Sequence, residues 1–350
     1  MHVRRSGLRG RVQDVRGKFD SEGRFMVSAN DTNDGSDMLD WIAAQAWSTG
    51  KIGTYGCSYL GEDQIELSKL RNPHHTAMIP QAAGGAYRFA DLLEGGAVGL
   101  SEAAPWFLKW GSKIEPAPET SKVDLAQMFL TLPFVDMVKK AGAPHTDFED
   151  FVSHAPDDPW WDRFGYVDKR HRFNTPALQV CSWYDSVVHE TFLLAKLMRE
   201  NGESELARDN QFVVIEHTTH CAFDSATERT VVGKGELGDA QFNYYKLYLR
   251  WYDRWLKGIE NGMASVPKVQ IYVMGANKWR SENDIATPTS RTHRAGGGDR
   301  KTGSRIRRHF GRADSRRCSA RAGSSRGHAQ SHGNHPRRPC REGRSDIPLS

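Results

Sequence analysis

The chain has 350 residues and a formal net charge of +5, enough length to bury a large core in one domain or two to three smaller ones. No apolar run approaches the roughly 20 residues that span a bilayer, and Met1-His2-Val3-Arg4-Arg5 is not followed by the apolar stretch of a signal peptide, so a cytoplasmic protein is the default expectation. The five cysteines, Cys57, Cys181, Cys221, Cys318 and Cys340, are odd in number and far apart, which argues against a disulfide framework and a zinc site and for free thiols.

The first ten residues carry no pattern. Val12-Gln13-Asp14-Val15-Arg16-Gly17 reads as the end of a buried strand entering a loop, followed by Ser21-Glu22-Gly23; Leu8-Arg9-Gly10-Arg11 before it is a poor match for a central parallel strand. Met38, Trp41, Ile42 and Gln45 then recur at helical spacing behind Ser36, a plausible N-cap, and ahead of Gly50, a stop. This predicts a helix laid on a sheet by Met38, Trp41 and Ile42.

Next comes Lys51-Ile52-Gly53-Thr54-Tyr55-Gly56-Cys57-Ser58-Tyr59-Leu60-Gly61, a short strand that runs through a glycine-flanked serine into a helix. Such a turn holds a nucleophile out at the edge of a sheet. The usual pattern is G-x-S-x-G; here Leu60 occupies the second glycine's place and Gly61 comes one later. In isolation an ordinary glycine-rich turn with a surface serine reads the same way. The context favours a nucleophile: a helix over about 59–70 and an apolar strand at Thr76–Pro80 complete a strand-helix-strand unit of a parallel sheet, with Ser58 at the junction where ligands collect. Glu62 and Asp63 suit the positive end of that helix.

From 84 to 172 the text turns helical and aromatic. Trp106, Phe107, Trp110, Phe129, Phe134, Phe148, Phe151, Trp160 and Trp161 sit among Pro and Asp breaks, which predicts an inserted helical lid whose aromatics are mostly core, with some lining an apolar acyl pocket. The sheet resumes at Pro176–Cys181, ending in Ser182-Trp183-Tyr184-Asp185; a helix follows around His189–Arg199, then a strand at Phe212–Ile215 that leads to Glu216-His217-Thr218-Thr219-His220. Ser, Asp and His thus follow successive strands in the chain order of α/β-hydrolase triads.

Together the Val12–Gly17 and Ser21–Gly23 stretch, Gly56-Cys57-Ser58-Tyr59-Leu60-Gly61, Trp183-Tyr184-Asp185, Trp251-Tyr252-Asp253-Arg254-Trp255-Leu256-Lys257-Gly258 and the segment from Val269 to Trp279 resemble the CocE/NonD hydrolases, the serine hydrolases that include cocaine-esterase and X-Pro dipeptidyl-peptidase-like enzymes. Their elbow is G-x-S-Y-x-G, which accounts for the displaced glycine. The resemblance covers Val12 to Trp279 and implies an α/β-hydrolase core, a mostly parallel sheet with flanking helices, carrying an inserted helical lid. It implies cleavage of an ester or amide through an acyl-enzyme: Ser58 as nucleophile, His220 as base, Asp185 as its orienting acid, and the backbone N–H of Tyr59 as one oxyanion donor. His220 is preferred to His217 because the family's histidine stands about five residues past its strand; the surrounding G-P-W-[ST]-H run is altered here. The family's second oxyanion donor, a tyrosine from an upstream loop, has no counterpart in this chain.

The segments expected are 12–83 and 173–262 as two parts of the core, 84–172 as the lid, 263–288 as the first strand of a β-sandwich domain, and 289–350 as a disordered basic tail. From Arg291 onward the tail has 16 Lys and Arg against 4 Asp and Glu, almost all arginine, with too little apolar surface to fold. It interleaves no aromatic pattern for base stacking; its composition matches a GC-rich gene read out of frame, a reading preferred to a nucleic-acid-binding arm. The expected enzyme is therefore truncated at both ends. It needs no cofactor and no metal, and its partner is a small ester or amide substrate, with neither membrane nor nucleic acid and with homo-oligomerisation left open. X-Pro dipeptidyl-peptidase or α-amino-acid ester hydrolase activity is the alternative, requiring acids for a substrate ammonium, with Glu94, Glu102 and Glu190 as possible members. A catalytically inactive fragment or pseudogene product is the other.

Overall fold

The computed structural model describes residues 7–88, 93–94, 97–112, 122–143, 145–155 and 158–284. The tail expected to be disordered lies outside these residues. In chain order the elements are α1 (Asp31–Ala43), β1 (Ile52–Cys57), α2 (Tyr59–Ser68), β2 (His75–Gln81), β3 (Leu93–Glu94), β4 (Ala97–Val98), α3 (Leu100–Trp110), α4 (Leu125–Phe129), α5 (Met137–Lys140), α6 (Phe148–Ser153), β5 (Ala177–Tyr184), α7 (Val188–Glu200), α8 (Glu205–Asp209), β6 (Gln211–Thr219), β7 (Thr230–Val232), β8 (Gly235–Gly238), α9 (Tyr244–Lys257), β9 (Val269–Val273) and β10 (Lys278–Glu282). One six-stranded sheet runs β1-β2-β5-β6-β9-β10. Its first five strands are parallel and β10 returns antiparallel to β9. Helices flank this sheet, an α/β-hydrolase core.

The central strands read as continuous apolar runs because both faces are covered. Leu178, Val180, Phe212 and Val214 pack with Trp251 of α9, and Cys181, Val213 and Ile215 pack with Ala195 of α7. Helix α9 shows how local sequence sets this layer. Asn243 caps it by accepting from Lys246 N at 2.9 Å, and Gly258 ends it in the left-handed region at φ 70°. Between those ends Trp251 is fully buried against Phe212. The Tyr252 hydroxyl donates to the Thr54 carbonyl of β1 at 2.6 Å, where a side chain on Gly53 would meet the Tyr252 ring at 2.4 Å.

Residues 97–166 contribute a separate core of Phe107, Met137, Phe148, Phe151, Trp161 and Phe164, which Phe25 and Val27 join from the N-terminal segment. Of the aromatics read from the sequence, Phe107, Phe148, Phe151 and Trp161 are buried, while Trp110 and Phe134 are exposed. The buried Lys18 reaches the end of α3, donating to the Trp110 carbonyl at 2.8 Å, where a cation complements the negative helix terminus.

Four expectations are corrected. Residues 12–17 form no strand: Val12 is 93 % exposed, because only Val12 and Val15 are apolar among charged neighbours. The segment is held instead by Arg16 Nε donating to Asp34 at 2.9 Å and by a turn at Gly17 (φ 75°), where a Cβ would lie 2.3 Å from Phe25 N. Helix α1 starts five residues before Ser36 and buries Asp31, Thr32 and Leu39, leaving Trp41 half exposed; its indole meets Trp47 edge-on instead. Strand β9 opens no second sheet, since Val269, Gln270 and Ile271 pair in parallel with β6. Lastly, Cys57 and Cys221 form a disulfide across 164 residues of sequence, with Cα atoms 6.0 Å apart. Their distance in sequence concealed what the fold brings together. Cys181 is a buried free thiol.

Glycine spacing at the start of α2 follows from close approach. A Cβ on Gly56 would lie 2.5 Å from Leu60 Cβ, and one on Gly61 would lie 2.4 Å from the Gln81 carbonyl of β2. Leu60 itself is 55 % exposed beyond its Cβ contact with Gly56. Gly61→Ala should therefore destabilise the protein by at least about 2 kcal/mol in urea unfolding, whereas Leu60→Ala should cost less than about 1 kcal/mol.

Candidate active site

All three strands that carry the sequence-predicted residues are parallel, so their carboxyl ends lie at one edge of the sheet. Ser58 directly follows β1 and precedes α2, at φ 61° and ψ −131°. This left-handed backbone is costly for a residue with a side chain and clusters at functional sites. It is fixed from both sides: Ser58 N donates to the Gln81 carbonyl at 2.9 Å, and the Ser58 carbonyl accepts from Gly61 N and Glu62 N at 2.6 and 2.9 Å. Tyr59 begins the helix, so its N–H has no acceptor within the helix.

Asp185 stands one residue past β5 with its side chain buried. One carboxylate oxygen accepts from Val187 N at 3.2 Å and the other lies 2.8 Å from His220 Nδ1. His220 stands one residue past β6, its side chain 49 % exposed. His217 is different: it lies within β6, 1 % exposed, with its ring against Tyr272 and neither ring nitrogen hydrogen-bonded. The structure thus brings Asp185 to His220 and not to His217. The disulfide connects this pair with Ser58, for Cys57 immediately precedes Ser58 and Cys221 immediately follows His220. Each Cα is one 3.8 Å step from a bridged one, so the Ser58 and His220 Cα atoms lie within about 14 Å of each other.

Beneath the elbow lies a set of acids that sequence reading did not resolve. Glu62 is 5 % exposed, and Asp63 Oδ1 is buried without a hydrogen-bond partner, so these are not solvated helix-start charges. The Tyr59 hydroxyl donates to Asp31 Oδ2 and accepts from Ser28 N at 2.9 Å; the ring stacks on Trp106 at 6.0 Å. Burial, opposed by the hydrogen bond from Tyr59, pushes the Asp31 carboxyl up to about 6. Burial and the neighbouring Asp31 and Glu66 carboxyls raise Asp63 well above the usual range. The only sequence signal was the acidic run around Glu62, and it does not reveal which acids are covered.

Among the candidate ammonium-binding acids, Glu102 on α3 accepts from Ser186 Oγ at 3.0 Å, beside Asp185. Glu190 lies in the first turn of α7, where its Cβ approaches Gly84. Glu94 lies on β3. Among the described residues, no group of three or more His, Cys, Asp or Glu side chains could hold a metal ion, and no helix is long and apolar enough to cross a membrane.

A sharp serine turn between strand and helix, followed by an Asp–His pair on later parallel strands, defines the α/β-hydrolase class. Residues 6–222 match the X-Pro dipeptidyl-peptidase (S15 family), and the chain belongs to that family. It is 27 % identical over 300 residues to cocaine esterase of Rhodococcus sp. (strain MB1 Bresler), which covers 81 % of this chain and 51 % of the relative. Two solved structures share the fold. An aminopeptidase from the marine sediment archaeon Thaumarchaeota archaeon is 20 % identical at a TM-score of 0.62, over 77 % of this chain and 47 % of that one. An α-amino acid ester hydrolase is 18 % identical at 0.57, over 79 % and 47 %. The chain therefore spans about half the length of the curated relative it matches, and the resemblance to the CocE/NonD hydrolases drawn from its motifs holds.

Because Asp31 holds its proton more tightly folded than unfolded, its contribution to stability is greatest below about pH 4 and falls as pH rises towards 6. Asp31→Asn removes that titration and keeps an acceptor for Tyr59. Relative to wild type, the variant should gain about 2 kcal/mol of unfolding free energy between pH 4 and pH 7, measured by urea denaturation at each pH.

Proposed function

We propose that the chain is a serine hydrolase that cleaves an ester or amide acyl bond. Ser58 Oγ attacks the carbonyl carbon while His220 Nε2 takes its proton; the C–O or C–N bond of the tetrahedral adduct breaks and the proton passes to the leaving group. Water then attacks the acyl-enzyme with the same histidine as base, releasing the acid and regenerating Ser58. Asp185 holds His220 through Nδ1–H, so that Nε2 is the basic nitrogen, and stabilises the imidazolium. The Tyr59 N–H at the start of α2 faces the developing oxyanion, which the positive helix terminus favours.

The observation that carries this reading is the 2.8 Å contact between Asp185 Oδ2 and His220 Nδ1, on a loop tied through Cys221 to the residue preceding Ser58. Membership of a hydrolase family supports it as well. Short-chain nitrophenyl esters are the simplest test with the full chain. Ser58→Ala should lose at least about 1,000-fold in kcat, and Asp185→Asn about 10,000-fold, with both variants folded. Equal inactivity of wild type and Ser58→Ala in folded protein would overturn the proposal and favour a catalytically inactive fragment.

A second reading concerns the substrate. Glu102 sits on the helical segment yet hydrogen-bonds Ser186, one residue from Asp185, so a carboxylate stands beside the acid-bearing loop. It suits a substrate with a free α-amino group, the class named by the α-amino acid ester hydrolase of shared fold. On this reading amino-acid esters are preferred to their N-acetyl counterparts, and Glu102→Gln raises KM for the free amine about 10-fold while leaving the acetylated ester unchanged. Equal rates on both esters would sink it.

A further inference from the structure

We propose that Cys57 and Cys221 are positioning residues: their disulfide holds the His220 loop against the Ser58 elbow, and opening it with a thiol reductant lowers hydrolysis by letting the base leave the nucleophile. The inference rests on the assignment of Ser58 and His220 proposed above.

Geometry is the first support. In the sheet order β1-β2-β5-β6, the Ser58-bearing and His220-bearing strands lie three steps apart, about 14 Å in a regular sheet. Yet Cys57 and Cys221 have Cα atoms 6.0 Å apart. The chain after β6 must therefore run back over the ends of β5 and β2, and the disulfide is the covalent tie that keeps it there. Cys221 itself is a non-glycine residue at φ 58°, a backbone state that persists only when its surroundings impose it.

The second support is the exposure of His220. Its side chain is 49 % exposed, in contrast to 1 % for Asp185, and the Asp185 hydrogen bond fixes one edge of the ring. The rest of the loop is anchored past the histidine. Thr218 Oγ1 donates to the Ala222 carbonyl at 3.0 Å, and Phe223 is buried beside Tyr244. Without the disulfide these contacts keep the loop on the protein but leave the segment between them free to shift. Loss of alignment, rather than unfolding, is the consequence.

The redox step balances simply. A thiolate from a dithiol attacks the sulfur of Cys221, the exposed residue of the bridge, forming a mixed disulfide and releasing Cys57. The second thiol of the reductant then attacks the reductant sulfur of the mixed disulfide, forming the reductant's own disulfide and releasing the remaining cysteine. Two electrons and two protons pass to Cys57 and Cys221, and the dithiol leaves as a disulfide. In an oxidising compartment the bond persists; in a thiol-rich one it opens.

The test uses the full-length protein with and without dithiothreitol. Peptide mapping without reductant should recover Cys57 linked to Cys221; pairing of either with Cys318 or Cys340 would overturn the proposal. Reduction should lower kcat on a nitrophenyl ester about 10- to 100-fold, with KM changed less than about two-fold, and reoxidation should restore it. Cys57→Ala/Cys221→Ala should show the lowered kcat and no response to dithiothreitol, with Cys57→Ser/Cys221→Ser as the alternative should the alanine pair not fold. Equal kcat in oxidised, reduced and doubly substituted protein of unchanged circular dichroism would refute it. Should oxidised wild type hydrolyse nothing, the assignment of Ser58 fails instead. The positioning claim is then decided by hydrogen exchange in Ser58→Ala: residues 219–223 should exchange faster on reduction while β5 and α9 do not, and an unchanged rate would overturn it.

Discussion

The approach of α2 to β2 at Gly61 is the constraint on which the site depends. With no side chain there, the helix can leave β1 at a sharp angle and pass directly over the Gln81 carbonyl. That same carbonyl accepts the Ser58 N–H, so one oxygen receives both the backbone of Ser58 and the helix that follows it. The left-handed conformation of Ser58 is the result. It is over-determined by the packing of strand, helix and neighbouring strand, which is the condition under which such strain survives.

The remaining features follow from the parallel sheet. Since β1, β5 and β6 point the same way, whatever follows them is delivered to one edge. Asp185 and His220 need only stand one residue beyond their strands to meet. Asp185 is covered and doubly hydrogen-bonded, whereas His220 is half exposed, the division that the proposed orienting acid and base call for. Below them the Tyr59 side chain is bound down by Asp31, Ser28 and Trp106. The first residue of α2 is thereby held in place, and with it the N–H at the helix start.

What could be read from the sequence was what is local. Ser58 announced itself through a strand, two glycines and a helix within a dozen residues, and Asp185 and His220 each through an apolar run that ends in a polar one. The choice of His220 over His217 rested on the spacing that the family resemblance implies, since burial runs without alternation along β6 through Thr218 and ceases at Thr219. What was not legible depends on residues far apart. Cys57 and Cys221 are 164 positions apart, and no spacing rule joins them. Strand β9 looks the same whether it opens a new sheet or extends an old one, and only its pairing with Val213, Val214 and Ile215 decides. The buried face of helix α1 is not legible from apolar spacing because Trp41 is apolar yet half exposed, meeting Trp47 edge-on, while Asp31, a residue normally given to solvent, turns inward to Tyr59. Lys18 buried at the end of α3 belongs to the same class.

The central claim is that Ser58, activated by a histidine that Asp185 orients, is a working nucleophile. A fluorophosphonate probe with the adduct mapped by mass spectrometry tests it most directly, for it asks about the serine before any substrate is known. Stoichiometric modification of Ser58 in the full chain, lost in His220→Ala, is the predicted result. No adduct, or an adduct on another serine with Ser58 untouched in folded protein, would contradict the account.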